Sequence, residues 1–556
     1  MDHSPDTIAA YRPPLPRPID LFQADEALRL ELQLRLPAKV YRDALPRLQR
    51  MGELTAGPLW ELMRQAEDEP PTVQSYDADG RRVDRLRTSP AWKELHDLSA
   101  REGLVAVAYD PDLGVHARLV QSAMIHLFSA SSAIYSCPLA MTDAAARVVR
   151  DLGDEELQAR VLPALLSTDP TRFSTSGQWM TERPGGSDVG GSETLALPLD
   201  EGGERYALSG IKWFTSAADG DLALTLARVV DRQGGTVPGS RGLTMFLVEV
   251  PRDERGSMLH VRIRRLKDKL GTRALPTAEL ELHGLPATRV GPIGRGVPSI
   301  SGMLNVTRYW NAASSSSAMA QAALWASDFA TRREAFGRPI AEHPAHRRVL
   351  GELHAEAAGA YALVAELAEL MGKVEHGQAR VEEARCLRAL LPIAKLLTGK
   401  QAVAVTSEAL ECFGGLGYVE DSGLPRMLRD AQTLPIWEGT TNVLSLDLLR
   451  AEQADGGLTA LLGALERRIA ALPAEELGEG LRVVVELQER LRARLGALAH
   501  DGDRARLEWE ARRLAMSTGL LWEATLLGEA AVAADEGAAG DRFAALVSAR
   551  LAGPLG

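Results

Sequence analysis

Between about residues 172 and 290 the periodicity of this chain changes, and that change limits its architecture more than any other feature. Before it, from about 25 to 165, apolar residues recur at helical spacing. DAAARVVRDLGDEELQARVLPALL is one such run, with Gly153 as a break between two helices. Inside the window the chain is rich in Gly, Pro, Thr and Ser, and short alternating runs take over: ERYALSGIKWFT, LALTLARVV and LTMFLVEV. A period of two cannot keep one helix face against a core, so the window predicts strands. LTMFLVEV reads as a buried strand and ELELHGLPATRV as strand, turn, strand. Together they predict a barrel or sandwich of about six to eight strands.

Helical spacing returns near 296. Leu350, Leu353, Ala357, Ala360, Val364, Leu367 and Met371 step by three and four and form one apolar face. A second helix covers about 380–410, and both read as members of a four-helix bundle. A linker is expected after about 452, followed by a tail rich in Ala, Leu, Arg and Glu that is helical again. At 556 residues the chain exceeds a single core. The expected class is α+β in five stretches: an extended arm over 1–24, where Pro13, Pro14, Pro16 and Pro18 block a helix; an N-terminal helical domain over 25–171; a β-barrel domain over 172–290; a helical bundle over 291–451; and an extra C-terminal helical domain over 452–556.

The net charge of -12 gives no overall reason to bind nucleic acid or an anionic membrane. Cys137, Cys386 and Cys412 are too far apart for a disulfide framework or a metal site, so no metal and a reducing compartment are expected. The first twenty residues lack the apolar core of a signal peptide. No apolar run reaches the roughly 18–20 residues of a membrane span; in LRALLPIAKLLTGKQAVAV, Lys395 and Lys400 interrupt it. A cytoplasmic protein is expected.

Four segments stand out within this plan: MTERPGGSDVGGS (180–192), KWFTSAADGDLAL (212–224), TRREAFGRPIAEH (331–343) and ECFGGLGYVEDSGLPRMLRDAQTLPIWEGTTNVLSLDLLR (411–450). The last holds Glu438 between an indole and a Gly-Thr-Thr turn. This glutamate is either an ordinary turn residue near the positive end of a helix or a base kept partly dry by Ile436 and Trp437. Taken alone, MTERPGGSD is a strand end and tight turn, Arg333 a solvated helix residue, and Gly414 a helix C-cap.

In order and spacing the four segments resemble the acyl-CoA dehydrogenase family of flavoproteins over about 100–450. SYDADGRRVDRLRTSPAWKEL (75–95), RLKDKLGTRALPTAELEL (265–282) and the long tail resemble its AidB-like, alkylation-response branch. The resemblance implies an acyl-CoA dehydrogenase-like fold and FAD as cofactor. Thr181, Ser187, Trp213 and Thr215 would then contact the flavin, with Trp213 as a wall for the ring and Thr215 as a donor to its edge. Arg333 would bind the pyrophosphate, and Phe336 would pack near the adenine or ribityl region. Gly414 and Gly415 would meet the FAD of a neighbouring subunit, and Thr440 and Asn442 would contact the cofactor. Arg450 would hold the helix behind the base. Pro344 and Glu411 depart from the family pattern. Glu438 would be the base that removes the α-proton of an acyl thioester while flavin N5 accepts the β-hydride, with the thioester carbonyl polarised by backbone donors. The alternative base position of the family is Thr307 here, which cannot serve. Arg308 would lie near the substrate and the catalytic carboxylate, and Tyr309 and Trp310 either shape the acyl pocket or are ordinary core.

The implied reaction is α,β-dehydrogenation of an acyl-CoA, or of an acyl-carrier thioester. The implied partners are an electron-transferring flavoprotein as acceptor and further copies of the chain in a tetramer, a dimer of dimers. Two other readings stand beside it: a DNA-associated flavoprotein with weak dehydrogenase activity, and a low-turnover acyl-CoA binding or sensing protein. Residues 451–556 hold 12 Arg against 17 Asp plus Glu, a net of -5, which disfavours DNA as the tail's ligand. Arg490 and Arg494, with Glu486 and Glu489 close by, read as ion-paired surface.

Overall fold

The computed structural model describes residues 16–534 and 537–551. They fall into two compact units, Pro58–Asn311 and Met1–Gly57 with Ala312–Gly556. Of the expected arm, residues 1–15 lie outside the described residues. Residues 16–20 have no regular structure, and Leu21–Ala24 is a helical turn capped by Asp20, whose side chain accepts from Gln23 N.

In the unit Pro58–Asn311, the helix Ser136–Leu152 ends against Gly153, and Asp154 caps the next helix, Glu155–Leu165, by accepting from Leu157 N. The expected, mostly helical stretch is interrupted by a hairpin that helical periodicity hides, β1 (Thr72–Tyr76) paired antiparallel with β2 (Arg82–Arg87). Seven strands follow: β3 (Ser176–Trp179), β4 (Leu195–Pro198), β5 (Arg205–Ser216), β6 (Leu222–Val229), β7 (Leu243–Glu249), β8 (Val261–Leu266) and β9 (Thr277–Val290). β4 pairs with β5, β5 with β9, β9 with β7, β7 with β6, and β6 again with β4, which closes the ring. β3 runs parallel beside β6, and β8 antiparallel beside β9. Trp179, Tyr206, Leu208, Phe246, Ile263 and Leu280 are among the side chains that fill its core. ELELHGLPATRV is not strand, turn, strand: it lies within the single strand β9. Gly284, at φ 66°, falls where the β5–β9 register slips between Leu208 and Ser209, so it marks a bulge and not a turn.

In the other unit, the long helices Pro344–Glu375 and Val381–Cys412 bury most of their length. The expected linker near 452 is absent. Gly456 alone, at φ 74°, joins the helix Thr441–Asp455 to Gly457–Ala471, and the helices Ala474–Asp501, Arg504–Ala533 and Gly537–Leu546 complete the tail. The tail is fastened by ions. Arg468 Nη1 donates to Glu366 Oε1 at 2.7 Å, and Arg35 Nη1 of the helix Glu26–Arg35 donates to Glu366 Oε2 at 2.8 Å. Burial alone would raise Glu366; the two guanidinium groups outweigh it and hold the carboxyl below the usual range. Arg467 pairs with Glu382 at 2.5 Å, Arg492 with Glu466 at 2.8 Å, and Arg494 with Glu510 rather than with Glu486 or Glu489.

A second buried contact fastens the tail without a counter-charge for each acid. Gln401 Nε2 donates to Glu356 Oε2 at 2.9 Å and to Glu523 Oε2 at 2.7 Å, and Arg550 lies 3.1 Å from Glu356 Oε1. Burial pushes both carboxyls up, Glu523 furthest. The folded state therefore keeps a proton on Glu523 at pH values where the unfolded chain has lost it. Stability then falls as pH rises from the ordinary carboxylate range through the raised one, by at most about 1.4 kcal/mol per pH unit for one proton. Denaturation curves across pH should show this slope, and Glu523→Gln should flatten it. An equal slope in the variant would refute the assignment.

Candidate active site

Glu438 sits in a turn whose two ends are held by one helix. Lys395, fully buried, donates from Nζ to the carbonyl of Gly439 at 2.7 Å. One helical turn later, Gly399 lies so close that a Cβ there would meet the backbone of Leu434 at 3.2 Å and Pro435 N at 3.3 Å. Between these anchors Glu438 adopts φ 56° and Gly439 φ 107°. A left-handed conformation at a non-glycine residue costs on the order of 1–3 kcal/mol and persists only where surroundings enforce it, which marks this turn as a functional candidate. Glu438 is half-buried. Ile436 does not wall it off as expected: its side chain is 62% exposed. Trp437 is half-buried, and its Nε1 is shielded from water with no acceptor among the described residues. Thr440 is the N-cap of the helix Thr441–Asp455 but makes no side-chain cap bond, and Asn442 in its first turn lies 3.4 Å from Arg512 Nη1. Arg450 is exposed in that helix's last turns.

Elsewhere in the same unit Arg333, Phe336, Gly414 and Gly415 line one cavity of about 960 Å³, with Phe329, Phe413, His346 and the departing residue Glu411. Phe336 and Gly337 form a two-residue hairpin turn, both at positive φ. The turn holds the Phe336 ring 97% exposed. Gly414, at φ 58°, follows the C-terminus of the helix Val381–Cys412 and opens the turn Gly414–Tyr418, where Tyr418 is 91% exposed. The Arg333 guanidinium has no partner among the described residues. Burial, then the nearby His343, hold His346 below the usual histidine range, so it presents a neutral ring whose Nε2 is unpartnered among the described residues. Pro344 occupies the first position of the helix Pro344–Glu375, which suits proline.

In the barrel unit, Trp213 N donates to Thr181 O at 2.9 Å, which brings those two residues together at the end of β3. Gly186 faces Thr181, and a Cβ there would meet Oγ1 at 2.5 Å. Ser187 is exposed. Thr215 is fully buried and its hydroxyl donates to Ala278 O, so that hydrogen is not offered outward. Lys267 Nζ lies 3.8 Å from the Trp213 ring centroid. The loop that opens with Thr181 is pinned by Glu182, whose carboxylate accepts from Glu193 N, Thr194 Oγ1 and the fully buried Lys212 at 2.6–2.7 Å.

Arg308 belongs to the barrel unit, on the helix Gly296–Arg332, and is 9% exposed. The two residues after it are tied by their polar tips. Tyr309 OH donates to Arg118 O at 2.7 Å, and Trp310 Nε1 donates to Asp143 Oδ2 at 2.8 Å. Asp143 also accepts from Arg118 Nη1 at 2.7 Å, Gln121 Nε2 at 2.9 Å and Tyr109 OH at 2.8 Å. Tyr309 and Trp310 are thus core residues anchored by hydrogen bonds.

The donor set fits a dinucleotide that joins flat rings through a diphosphate. Arg333 supplies a guanidinium without an anion, the Gly414–Gly415 backbone is open with no atom within 4 Å of either absent Cβ, and aromatic rings line the same cavity. Among the described residues there is no group of three or more His, Cys, Asp or Glu side chains placed to hold a metal.

Residues 12–170 match the family model of the adaptive response protein AidB N-terminal domain. Residues 177–285 match the acyl-CoA dehydrogenase middle domain, and 294–452 the acyl-CoA dehydrogenase C-terminal domain. The chain is 40% identical over 517 residues to acyl-CoA dehydrogenase family member 11 of Caenorhabditis elegans, covering 91% of this chain and 83% of that protein. A crystal structure of Caenorhabditis elegans ACDH-11 in complex with C11-CoA superposes with a TM-score of 0.93 at 37% identity, covering 99% of this chain and 96% of that one. An acyl-CoA dehydrogenase of Bacillus anthracis complexed with FAD shares the fold alone, with a TM-score of 0.66 at 18% identity over 90% of this chain and 83% of that one.

Proposed function

The chain belongs to the acyl-CoA dehydrogenase family of FAD-dependent oxidoreductases, and from that premise we propose that it removes the α-proton and β-hydride of an acyl-CoA with Glu438 as base. The Glu438 turn carries this reading. It is one carboxylate in an enforced left-handed conformation, with Lys395 and Gly399 of a single helix holding its flanks. Bound FAD supplies the hydride acceptor at its N5. The protein's own task is to hold the thioester so that its α-carbon faces Glu438 and to take that proton. We assign Arg308 to the substrate's surroundings, Thr181, Ser187, Trp213 and Thr215 to the flavin ring, and Thr440 and Asn442 to the cofactor beside the base. Arg333, Phe336, Gly414 and Gly415 are assigned to the adenine diphosphate end. Their location on a cavity lined by Phe336, whose ring is almost fully exposed, supports an arrangement in which a second copy completes the cofactor site. A homotetramer follows by family analogy, as do a place in fatty acid metabolism and an electron-transferring flavoprotein as acceptor. A cytoplasmic location rests on the sparse cysteines, all three of them free, and no helix of the described residues is long and apolar enough to cross a membrane. We assign the tail no DNA-binding role, because most of its arginines, Arg467, Arg468, Arg492 and Arg494 among them, serve carboxylates of the chain itself.

The test is an anaerobic titration of the flavin-loaded protein with acyl-CoAs from short branched to long straight chains. The ligand in the related structure makes chains near eleven carbons the first to try. Bleaching of the flavin band by one chain class establishes the dehydrogenase and its substrate. A spectral shift without bleaching with every acyl-CoA would replace it by the sensing reading. Arg333→Gln should weaken FAD retention roughly tenfold or more, the loss of one charge-assisted phosphate contact. Ultrafiltration against free FAD measures it, and equal retention would remove Arg333 from the site.

A further inference from the structure

One strand face in the barrel unit carries charge that the fold leaves unused. β2 (RVDRLR) and β8 (VRIRRL) hold six arginines and one carboxylate, Asp84, in a chain of net charge -12. Asp84 is taken by Arg82 Nε at 2.7 Å, and Arg265 by Glu279 at 2.7 Å. Arg85, Arg87, Arg262 and Arg264 have no ion-pair partner among the described residues. Arg85 and Arg87 share only the neutral Gln74 Oε1, at 3.5 and 2.7 Å. Arg85 Nε is shielded from water and has no acceptor at all among the described residues.

Three of the four, Arg87, Arg262 and Arg264, are exposed, on two strands joined at Ile263. On β8, Val261 and Ile263 point into the barrel core, which leaves Arg262 and Arg264 outward. On the hairpin, Val73 and Leu86 pack against that core and Arg85 and Arg87 take the opposite side, Arg87 exposed and Arg85 half-buried. The hairpin is stitched to β8 at Ile263, whose N donates to Asp84 Oδ2 at 3.2 Å and whose O accepts from Arg82 Nη2 at 2.9 Å. β8 then leads to Lys267, whose ammonium stands over the Trp213 ring. At about 3.3 Å per residue, Arg264 lies roughly 10 Å along the chain from Lys267.

We propose that this arginine face docks an acidic electron-acceptor protein beside the Trp213 wall of the flavin site. The inference rests on the dehydrogenase reading, because that reaction needs an oxidant. Each double bond formed removes two electrons and two protons from the substrate; the acceptor protein takes the electrons and is reduced, and the protons reach solvent. Guanidinium groups fork onto carboxylates, and exposed charges of this kind speed encounter and fix orientation. The footprint is small and has acidic margins, with Asp77 and Asp79 at the hairpin tip and Glu281 opposite Arg262. That suits a protein patch better than a duplex, whose binding rests on some 6–10 phosphate contacts.

The test uses the flavin-loaded Arg262→Glu/Arg264→Glu variant and the purified electron-transferring flavoprotein of the same organism. Anaerobic bleaching by acyl-CoA and turnover with a small dye acceptor should match the parent. The KM for the flavoprotein and the Kd of the two oxidised proteins, read by fluorescence anisotropy, should both rise at least about tenfold. The parent's loss of affinity with added salt should flatten in the variant. Arg262→Gln/Arg264→Gln should fall between the two, with thermal midpoints confirming that all three are folded. Unchanged KM and Kd in a variant that bleaches normally would overturn the proposal, as would loss of duplex DNA binding with acceptor binding intact. If no acyl-CoA bleaches the parent, the dehydrogenase reading fails alone, and the anisotropy measurement still decides the docking face.

Discussion

Glu438→Gln should abolish reduction of the bound flavin by an acyl-CoA, slowing it about 10²–10⁴-fold, while FAD stays bound and the acyl-CoA still perturbs its spectrum. Glutamine keeps the shape and reach of the side chain and loses only the capacity to take a proton. It also faces the same cost of the left-handed backbone at φ 56°, so the turn has no new reason to refold. The backbone anchors stay in place, since Lys395 bonds to the carbonyl of Gly439 and Gly399 packs on Leu434 and Pro435. Stopped-flow mixing of the anaerobic variant with the best substrate of the parent measures the loss. A rate within threefold of the parent would remove Glu438 from the chemistry. Alanine is the poorer test, because it removes the carboxylate and its packing together.

How much of this was legible in the residues varies with the range of the interaction involved. Period-two runs identified the barrel, because alternation is a local consequence of facing one core. The bundle helices were legible for the same reason, with 346–371 falling inside Pro344–Glu375. The β1–β2 hairpin was not, because five- and six-residue strands with a single buried member, Asp84, carry almost no apolar period. Gly284 was misread as a turn because a glycine within a strand gives the same local signal for a bulge. At the site, motif order brought Arg333, Phe336, Gly414 and Gly415 to one cavity. It did not single out Lys395, which in the sequence only interrupts an apolar run. A lone lysine on an otherwise apolar helix is in fact the available signal, since burying an ammonium is costly unless an acceptor is waiting. Here one acceptor is the Gly439 carbonyl, 44 residues on. Thr215 stood out in the sequence only as a hydroxyl within a motif; its bond to the Ala278 carbonyl, 63 residues on, was not legible there.

Asp143→Ala should cost the barrel unit about 3–5 kcal/mol. The loss is large because one carboxylate, fully buried, serves four donors. Its removal takes this carboxylate from the fully buried Arg118 guanidinium and strips Gln121, Tyr109 and Trp310 of an acceptor each. Asp143→Asn keeps an oxygen for one donor but turns an NH2 toward groups that are themselves donors, so it should fall only modestly short of the alanine effect. The functional consequence runs through the helix Gly296–Arg332. Trp310 and Tyr309 fix the rotation of that helix where it presents Arg308, one through Asp143 and the other through the Arg118 carbonyl. A loosened helix should lower kcat for flavin reduction more than it raises KM, since Arg308 would be misplaced rather than removed. Trp310→Phe provides the discriminating partner: it deletes one donor and leaves the Arg118–Asp143 pair intact. It should therefore cost more than the about 1 kcal/mol of one hydrogen bond, because the smaller ring leaves space in a fully buried site, yet less than the alanine variant, and shift kcat in the same direction. Urea denaturation of the three variants beside their reduction rates decides the matter. An alanine variant within 1 kcal/mol of the parent would mean that Asp143 is not the anchor its four contacts make it.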